Sequence, residues 1–376
     1  MHVVIFFTYE YSLKLWNNSG ILERELIYYK KLLNLDNNLA ITLITYGDES
    51  DFDYQPDLNN FTILPVYSVI KKSNSKLINY LKSFFIPILI NKKIQDVDVI
   101  KQYQLQGAWI AILYKYLIKK PLILRTGYDM YSFSLKEKKS LIKTFLYKSL
   151  TSLSLKLSNL YTVSTKSDFN FLTKKFKFDT SKIKVRSNWI ILTKNKNILE
   201  RNEFKILSVG RLEEQKNYKE LIQTFKSSKF EIDIYGEGSQ KEELIELSRL
   251  NHVKVNFKGL IDYTSLQNIY NDYRYYVSFS KYEGNPKTVL EAQAAGCVVI
   301  TLQEQNTNEL IENGISGIIL KNSRDILSTI ENLQYDEKKL KNISVAATAS
   351  KNKKNEINLV TKKDYEDFLT LLNKDY

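Results

Sequence analysis

Tyr282-Glu283-Gly284-Asn285-Pro286-Lys287-Thr288-Val289-Leu290-Glu291-Ala292 is the stretch whose reading decides the fold. It follows an apolar run of strand length, Tyr275 to Ser280, and turns at Gly284-Asn285 before Pro286 or Lys287 opens a helix. Proline suits a first helical turn, where its missing N–H costs nothing. The other first-turn N–H groups and the helix dipole point beyond the strand end, and both favour an anion such as a diphosphate. Glu283 lies in the turn and Glu291 farther along the helix, as acceptors suited to sugar and ribose hydroxyls.

On either side of this stretch, apolar runs of strand length alternate with helix-period segments, the pattern of parallel α/β layers. The predicted strands of the first half are Val3–Phe7, Ala40–Tyr46, Phe61–Pro65, Val97–Lys101, Leu122–Thr126 and Leu160–Ser164. The second half restarts with Lys205–Val209, Glu231–Tyr235, Val253–Phe257, Tyr275–Ser280, Cys297–Thr301 and Gly317–Leu320. A polar Asn/Lys stretch, residues 188–202, reads as a linker between a domain 1–187 and a domain 203–350. Residues 351–376 read as a C-terminal helix able to pack back on the first domain. Glycine is scarce, 12 in 376 residues, yet Gly47, Gly127, Gly210, Gly236, Gly259 and Gly284 each close a strand-like run. In an open parallel sheet those strand ends line the ligand site.

Two further segments carry charge or backbone freedom at strand ends. Ser208-Val209-Gly210-Arg211-Leu212 is followed by Gln215-Lys216-Asn217, and both cations suit phosphate groups. Ile234-Tyr235-Gly236-Glu237-Gly238 offers two glycines at a strand-to-helix turn, a fragment of a dinucleotide-type loop.

Together these elements resemble the retaining glycosyltransferases of family four, whose GT-B fold is α/β, two facing Rossmann-like domains with parallel sheets. The resemblance covers nearly the whole chain. It is most specific between residues 201 and 320, where Val209-Gly210-Arg211, Lys216-Asn217, Gly236-Glu237-Gly238 and the pair Glu283/Glu291 occur in the family's order. It implies that Arg211 and Lys216 bind the donor diphosphate and that Gly236 belongs to the donor site. It further implies that Glu291 holds the ribose hydroxyls and that Glu283, the catalytic-site carboxylate, contacts the donor sugar. The turn Gly284, Asn285, Pro286, Lys287, Thr288 looks like the one whose backbone amides meet sugar and phosphates. The family needs no metal and no cofactor, the UDP- or GDP-linked sugar being a substrate.

The first half fits the same resemblance. Asn17-Asn18-Ser19-Gly20 stands where a glycine-containing loop, here with Gly20, approaches the donor phosphates. Leu124-Arg125-Thr126-Gly127-Tyr128-Asp129 stands where many members carry a histidine, and here there is none. Asp129 or Tyr128 is left to orient the acceptor, and retention of configuration rests on the leaving diphosphate and backbone groups. His2 and His252 read as structural or exposed, and Cys297, in an apolar run, as a small buried hydrophobe. Asp51-Phe52-Asp53 and Asp96-Val97-Asp98 spell a metal-binding triplet of another transferase fold, but both lack its context.

The net charge of +13 is concentrated: residues 101–200 hold 20 Lys/Arg against 5 Asp/Glu. Such asymmetry suggests contact with a polyanion, or a lysine-rich solvated surface. The segment 135–157 places Ile142, Phe145, Leu146, Leu150, Leu153 and Leu157 on one helical face, with lysines mostly elsewhere. That face is either a core face or a docking face for anionic lipid. Aromatic–basic modules of nucleic-acid binders are missing, so nucleic acid is not an expected partner. With neither signal peptide nor membrane-span run in the sequence, the expectation is a cytoplasmic or peripheral protein. The implied function is transfer of a sugar to a glycan or lipid-linked acceptor in cell-surface polysaccharide synthesis. The alternatives are a nucleotide-sugar epimerase or hydrolase of the same fold, and a basic nucleic-acid-binding protein.

Overall fold

The computed structural model describes residues 1–192, 194–304, 306–349 and 352–373. The chain forms two compact units, Met1–Ser187 with Val360–Tyr376, and Asn188–Leu359.

The first unit is built on strands β1 (His2–Phe6), β2 (Ala40–Thr45), β3 (Phe61–Pro65), β4 (Val99–Gln102), β5 (Leu122–Thr126), β6 (Leu160–Val163) and β7 (Ile183–Val185). All pair in parallel, in the order β3-β2-β1-β4-β5-β6-β7. Strands such as β1 and β2 are apolar and buried almost end to end, because helices cover both faces of such a sheet. The short β7 is absent from the sequence reading, since Ile-Lys-Val carries too little apolar length to signal a strand. β4 starts two residues later than predicted. Asp96 adopts a left-handed φ of 54°, and the Asp98 carboxylate accepts the His2 N–H at 2.8 Å.

The second unit holds β8 (Asn202–Val209), β9 (Glu231–Tyr235), β10 (Val255–Gly259), β11 (Tyr273–Ser278), β12 (Val298–Leu302) and β13 (Ile318–Leu320). These are parallel in the order β10-β9-β8-β11-β12-β13. Residues 188–202, read as a linker, pack into this unit: Trp189 and Ile190 are buried, and Ile190 bridges to Glu356. Thr193 of that stretch lies outside the described residues.

The C-terminal helix is Ile357–Leu372, and Val360 onward belongs to the first unit. There Asp364 meets Lys101 at 3.0 Å, both buried, and Asp367 is held by Lys184 and Arg186 at 2.8 Å each. The two neighbouring cations, Lys101 and Arg125, outweigh burial and hold the Asp364 carboxyl below the usual range. Lys351 and residues 374–376 of the predicted segment lie outside the described residues.

The helix Leu141–Leu157 argues against the core-face alternative for its apolar stripe. Its core face is Thr151, Ser154 and Leu155, while Ile142, Phe145, Leu146 and Leu153 face outward. Only its C-terminal half packs inward, where Lys115 Nζ from the helix Ala108–Ile118 donates to the Leu157 carbonyl at 2.6 Å.

Candidate active site

In the second unit the strand order reverses between β8 and β11, the position where open α/β sheets bind ligands beyond their carboxyl ends. The loop after β8 carries Arg211 and Lys216, the loop after β9 carries Gly236 and Gly238, and the loop after β11 carries Glu283 to Pro286. The segments singled out in sequence therefore converge because the strands that precede them are neighbours.

The first two loops touch along their backbones. Gly210 N–H donates to the Tyr235 carbonyl at 2.9 Å and Leu212 N–H to the Glu237 carbonyl at 3.0 Å. A Cβ on Gly236, whose φ is +142°, would stand 2.0 Å from the Gly210 carbonyl oxygen. Close approach is thus why glycine occupies this position. Ser239 adds N–H and hydroxyl bonds to the Glu213 carboxylate at 2.9 and 2.8 Å. These bonds hold the Glu213 carboxyl below its ordinary range.

The β8 and β11 loops are joined by the two side chains the sequence assigned to different parts of the donor. Lys216 Nζ lies 2.5 Å from Glu283 Oε1. Around that pair, Lys281 N–H donates to the Gln215 carbonyl and Gln215 Nε2 to the Tyr282 carbonyl, both at 2.9 Å. Arg211 is exposed at the rim and reaches Gln215 Oε1 at 3.4 Å.

The turn after Glu283 is held by its carbonyls. Asn306 Nδ2 donates to the carbonyls of Glu283 at 2.6 Å and Gly284 at 3.0 Å. Asn188 Nδ2 donates to the Asn285 carbonyl at 2.6 Å, and its N–H to Asn285 Oδ1 at 3.1 Å. With carbonyls anchored away, the peptide N–H groups are the polar groups such a turn can offer a ligand. The helix Lys287–Ala294 follows: of the two openings the sequence allowed, Lys287 is the first helical residue, and Pro286 is the extended N-cap residue before it. Thr288 Oγ1 accepts from the Tyr276 hydroxyl at 2.8 Å, fixing the first turn to β11. Glu291 is buried, and the Tyr270 hydroxyl donates to its Oε2 at 3.3 Å. Burial, and then the Glu291 charge, push the Tyr270 phenol far above its usual range, so it stays a donor.

Asn188, Asn306, Tyr270 and Tyr276 were not found in the sequence. Asn306 and Asn188 sit among other polar residues, and no spacing rule links them to a turn far along the chain. The tyrosines read as ordinary strand and helix aromatics.

In the first unit, Gly20 follows the helix Leu13–Asn18 with a left-handed φ of 69° and donates to the Asn17 carbonyl, a helix-ending role. Asp129, expected to orient an acceptor, is buried and caps the helix Met130–Lys136. Its Oδ1 accepts the Ser132 N–H at 2.6 Å and its Oδ2 lies 3.5 Å from the Thr151 hydroxyl. Burial raises the Asp129 carboxyl to about 7. Tyr128 beside it is exposed and stacks on Phe133. Asp51 is buried, accepting the N–H groups of Leu13 and Lys14 and the Thr45 hydroxyl. His2 bridges the Gln95 carbonyl and Thr42 hydroxyl, and His252 is exposed in a turn. Cys297 is fully buried, its thiol pushed up to about 12 by desolvation.

The fold is that of the GT-B glycosyltransferases. The HepE protein of Anabaena, solved with UDP and glucose, matches 98% of this chain and 99% of its own with a TM-score of 0.75 at 13% identity. Residues 191–350 match the family described as glycosyl transferases group 1. The amylovoran biosynthesis glycosyltransferase AmsD of Erwinia amylovora is 25% identical over 284 residues, 74% of this chain and 75% of AmsD. The GtfA subunit of the UDP-N-acetylglucosamine–peptide N-acetylglucosaminyltransferase of Streptococcus agalactiae is 32% identical over 127 residues, 32% of this chain. The match spans only 25% of that relative's length.

Proposed function

We propose that the chain is a retaining, metal-independent glycosyltransferase. It would move a sugar from a UDP- or GDP-linked donor to a glycan or lipid-linked acceptor in cell-surface polysaccharide synthesis. The observation that carries this reading is the convergence, within one unit, of Arg211, Lys216, Glu283 and Glu291 around the first turn of the helix Lys287–Ala294. In this reading Arg211, Lys216 and the helix N-terminus meet the diphosphate charge. Glu291, positioned by Tyr270, accepts the ribose hydroxyls. The Lys216–Glu283 pair adds a coupling: a diphosphate that draws Lys216 away frees Glu283 to accept sugar hydroxyls.

In the transfer step the bond from the anomeric carbon to the diphosphate oxygen breaks. A bond to the acceptor hydroxyl oxygen forms on the same face, and the acceptor proton passes to the departing phosphate oxygen. The protein's part is to stabilise charge on the leaving group with fixed donors. The name of AmsD supports a polysaccharide product, and HepE, solved with UDP and glucose, supports a UDP-linked donor. The buried, helix-capping Asp129 makes Tyr128, exposed beside it, the better acceptor-orienting candidate of the two. We place the reaction on the cytoplasmic side, with the protein peripheral to the membrane.

Calorimetric titration with UDP and GDP tests the reading. Arg211→Ala should weaken the preferred nucleotide by roughly 1.5–3 kcal/mol, the range of a hydrogen bond to a charged group. Glu291→Gln should lose nucleotide affinity, whereas Glu283→Gln should chiefly lower turnover. Unchanged affinity in Arg211→Ala and Glu291→Gln would remove the donor site from this unit. Donor consumption without a glycosylated acceptor would instead favour the epimerase or hydrolase reading.

A further inference from the structure

The outer helices of the first unit are coated with large apolar side chains that folding leaves in water. The helices Lys76–Ser83, Ile86–Asn91, Ala108–Ile118 and Leu141–Leu157 form one layer. Their crossovers, β3 to β4, β4 to β5 and β5 to β6, all run the same way along the sheet, and right-handed connections put them on one face. Trp109 Nε1 donates to Ser83 Oγ at 2.8 Å, tying the first helix of the layer to the third. Lys115 ties the third to the fourth.

The outward surface of this layer includes Leu81, Phe85, Tyr116 and, at 75%, 67% and 57% exposure, Ile142, Phe145 and Leu146. From Leu141 to Leu150 no residue of the last helix is buried. The helix Ala108–Ile118 carries one charged residue, Lys115, and is otherwise apolar or aromatic around its circumference. A contiguous apolar surface of this kind marks an interaction site. Residues 71–157 also hold 17 Lys/Arg against 4 Asp/Glu, and one of the four, Asp129, is buried.

We infer that this layer docks on an anionic lipid bilayer. The inference deepens the proposed function, on which it rests only for the purpose docking would serve: bringing the enzyme to a lipid-linked acceptor. Lysine is depleted at interfaces between proteins. Lysines beside exposed Phe, Leu and Ile are instead the composition of a surface lying in the headgroup region, apolar side chains in the acyl boundary and cations on anionic headgroups. Among the described residues no helix is long and apolar enough to cross a membrane, so the contact lies in the interface plane.

The test is flotation of the full chain with vesicles of phosphatidylcholine alone and of equal parts phosphatidylcholine and phosphatidylglycerol. The anionic vesicles should bind, the neutral ones weakly, and binding should fall as salt shortens the screening length towards about 3 Å. Lys92→Gln/Lys143→Gln/Lys148→Gln should weaken anionic-vesicle binding about a hundredfold, at about one headgroup interaction per lysine. Ile142→Ser/Phe145→Ser/Leu146→Ser should weaken it at least about tenfold. All six positions are exposed, so the variants should fold. Sedimentation velocity supplies the competing outcome. A wild-type dimer that the serine variant turns to monomer, with vesicle binding unaffected, would make this face a protein interface and overturn the inference. So would binding indifferent to headgroup charge. Titration of the same variants with UDP separates the two proposals. Nucleotide binding without vesicle binding sinks the docking and leaves the enzyme, and vesicle binding without nucleotide binding does the reverse.

Discussion

Replacing Lys216 by Met and Glu283 by Gln, singly and together, measures whether the two loops of the candidate site are held by their charges. The side chains are 17% and 15% exposed and meet at 2.5 Å, so water screens them little. A hydrogen bond to a charged group contributes about 1.5–3 kcal/mol. Lys216→Met keeps the hydrocarbon stem and strands Glu283, which should cost about 2–3 kcal/mol. Glu283→Gln keeps an acceptor oxygen for the lysine and should cost less, about 1–2 kcal/mol. In the double variant neither charge is stranded, so its loss should fall short of the summed single losses by about 2 kcal/mol. Urea unfolding of all four proteins at one pH gives the cycle. If the losses add to within about 0.5 kcal/mol, the pair is not coupled, and the ligand-driven release of Glu283 loses its basis.

The buried Asp129 carboxyl, raised to about 7, should make stability fall as pH rises. The folded chain keeps that proton where the unfolded one, titrating near 3.9, has lost it, so stability is lost between about pH 4 and 7. The loss approaches about 4 kcal/mol, and Asp129→Asn should remove it; parallel wild-type and variant pH curves in urea unfolding would contradict this. Asp364→Ala, which strands the buried Lys101, should destabilise the first unit by about 3–5 kcal/mol, whereas a Tm shift near zero would mean the C-terminal helix is held by packing alone. Gly236→Ala, whose Cβ would meet the Gly210 carbonyl oxygen at 2.0 Å, should cost more than about 1 kcal/mol in unfolding free energy and lower UDP affinity, because one loop must move off the other.

The α/β class, twelve of the strands and the positions of the donor-type loops were legible because parallel strands buried on both faces are written as continuous apolar runs. Scarce glycines marked where those runs end. Helix initiation at Lys287 was legible for the same local reason, a proline at the entry of a helical pattern. What was illegible depends on neighbours supplied by distant parts of the chain. The sequence could not say that Asn306 and Asn188 anchor the turn after Glu283, because hydrogen bonds between residues so far apart leave no spacing signal. Nor could it separate Asp129 as a crevice acid from Asp129 as a helix cap, since an Asp before a helix fits both.

By itself, then, the sequence determined two restarting α/β patterns, the order of cations and carboxylates at strand ends, and the basic charge of the first half. Tertiary structure alone decided that Lys216 and Glu283 face each other, since only the pairing of β8 with β11 brings their loops together. It also decided which side of the helix Leu141–Leu157 is buried. Periodicity shows that a helix has an apolar face, but only its neighbours in the fold, here Lys115 at the Leu157 carbonyl and Asp129 at Thr151, determine whether that face finds a core or is left to water.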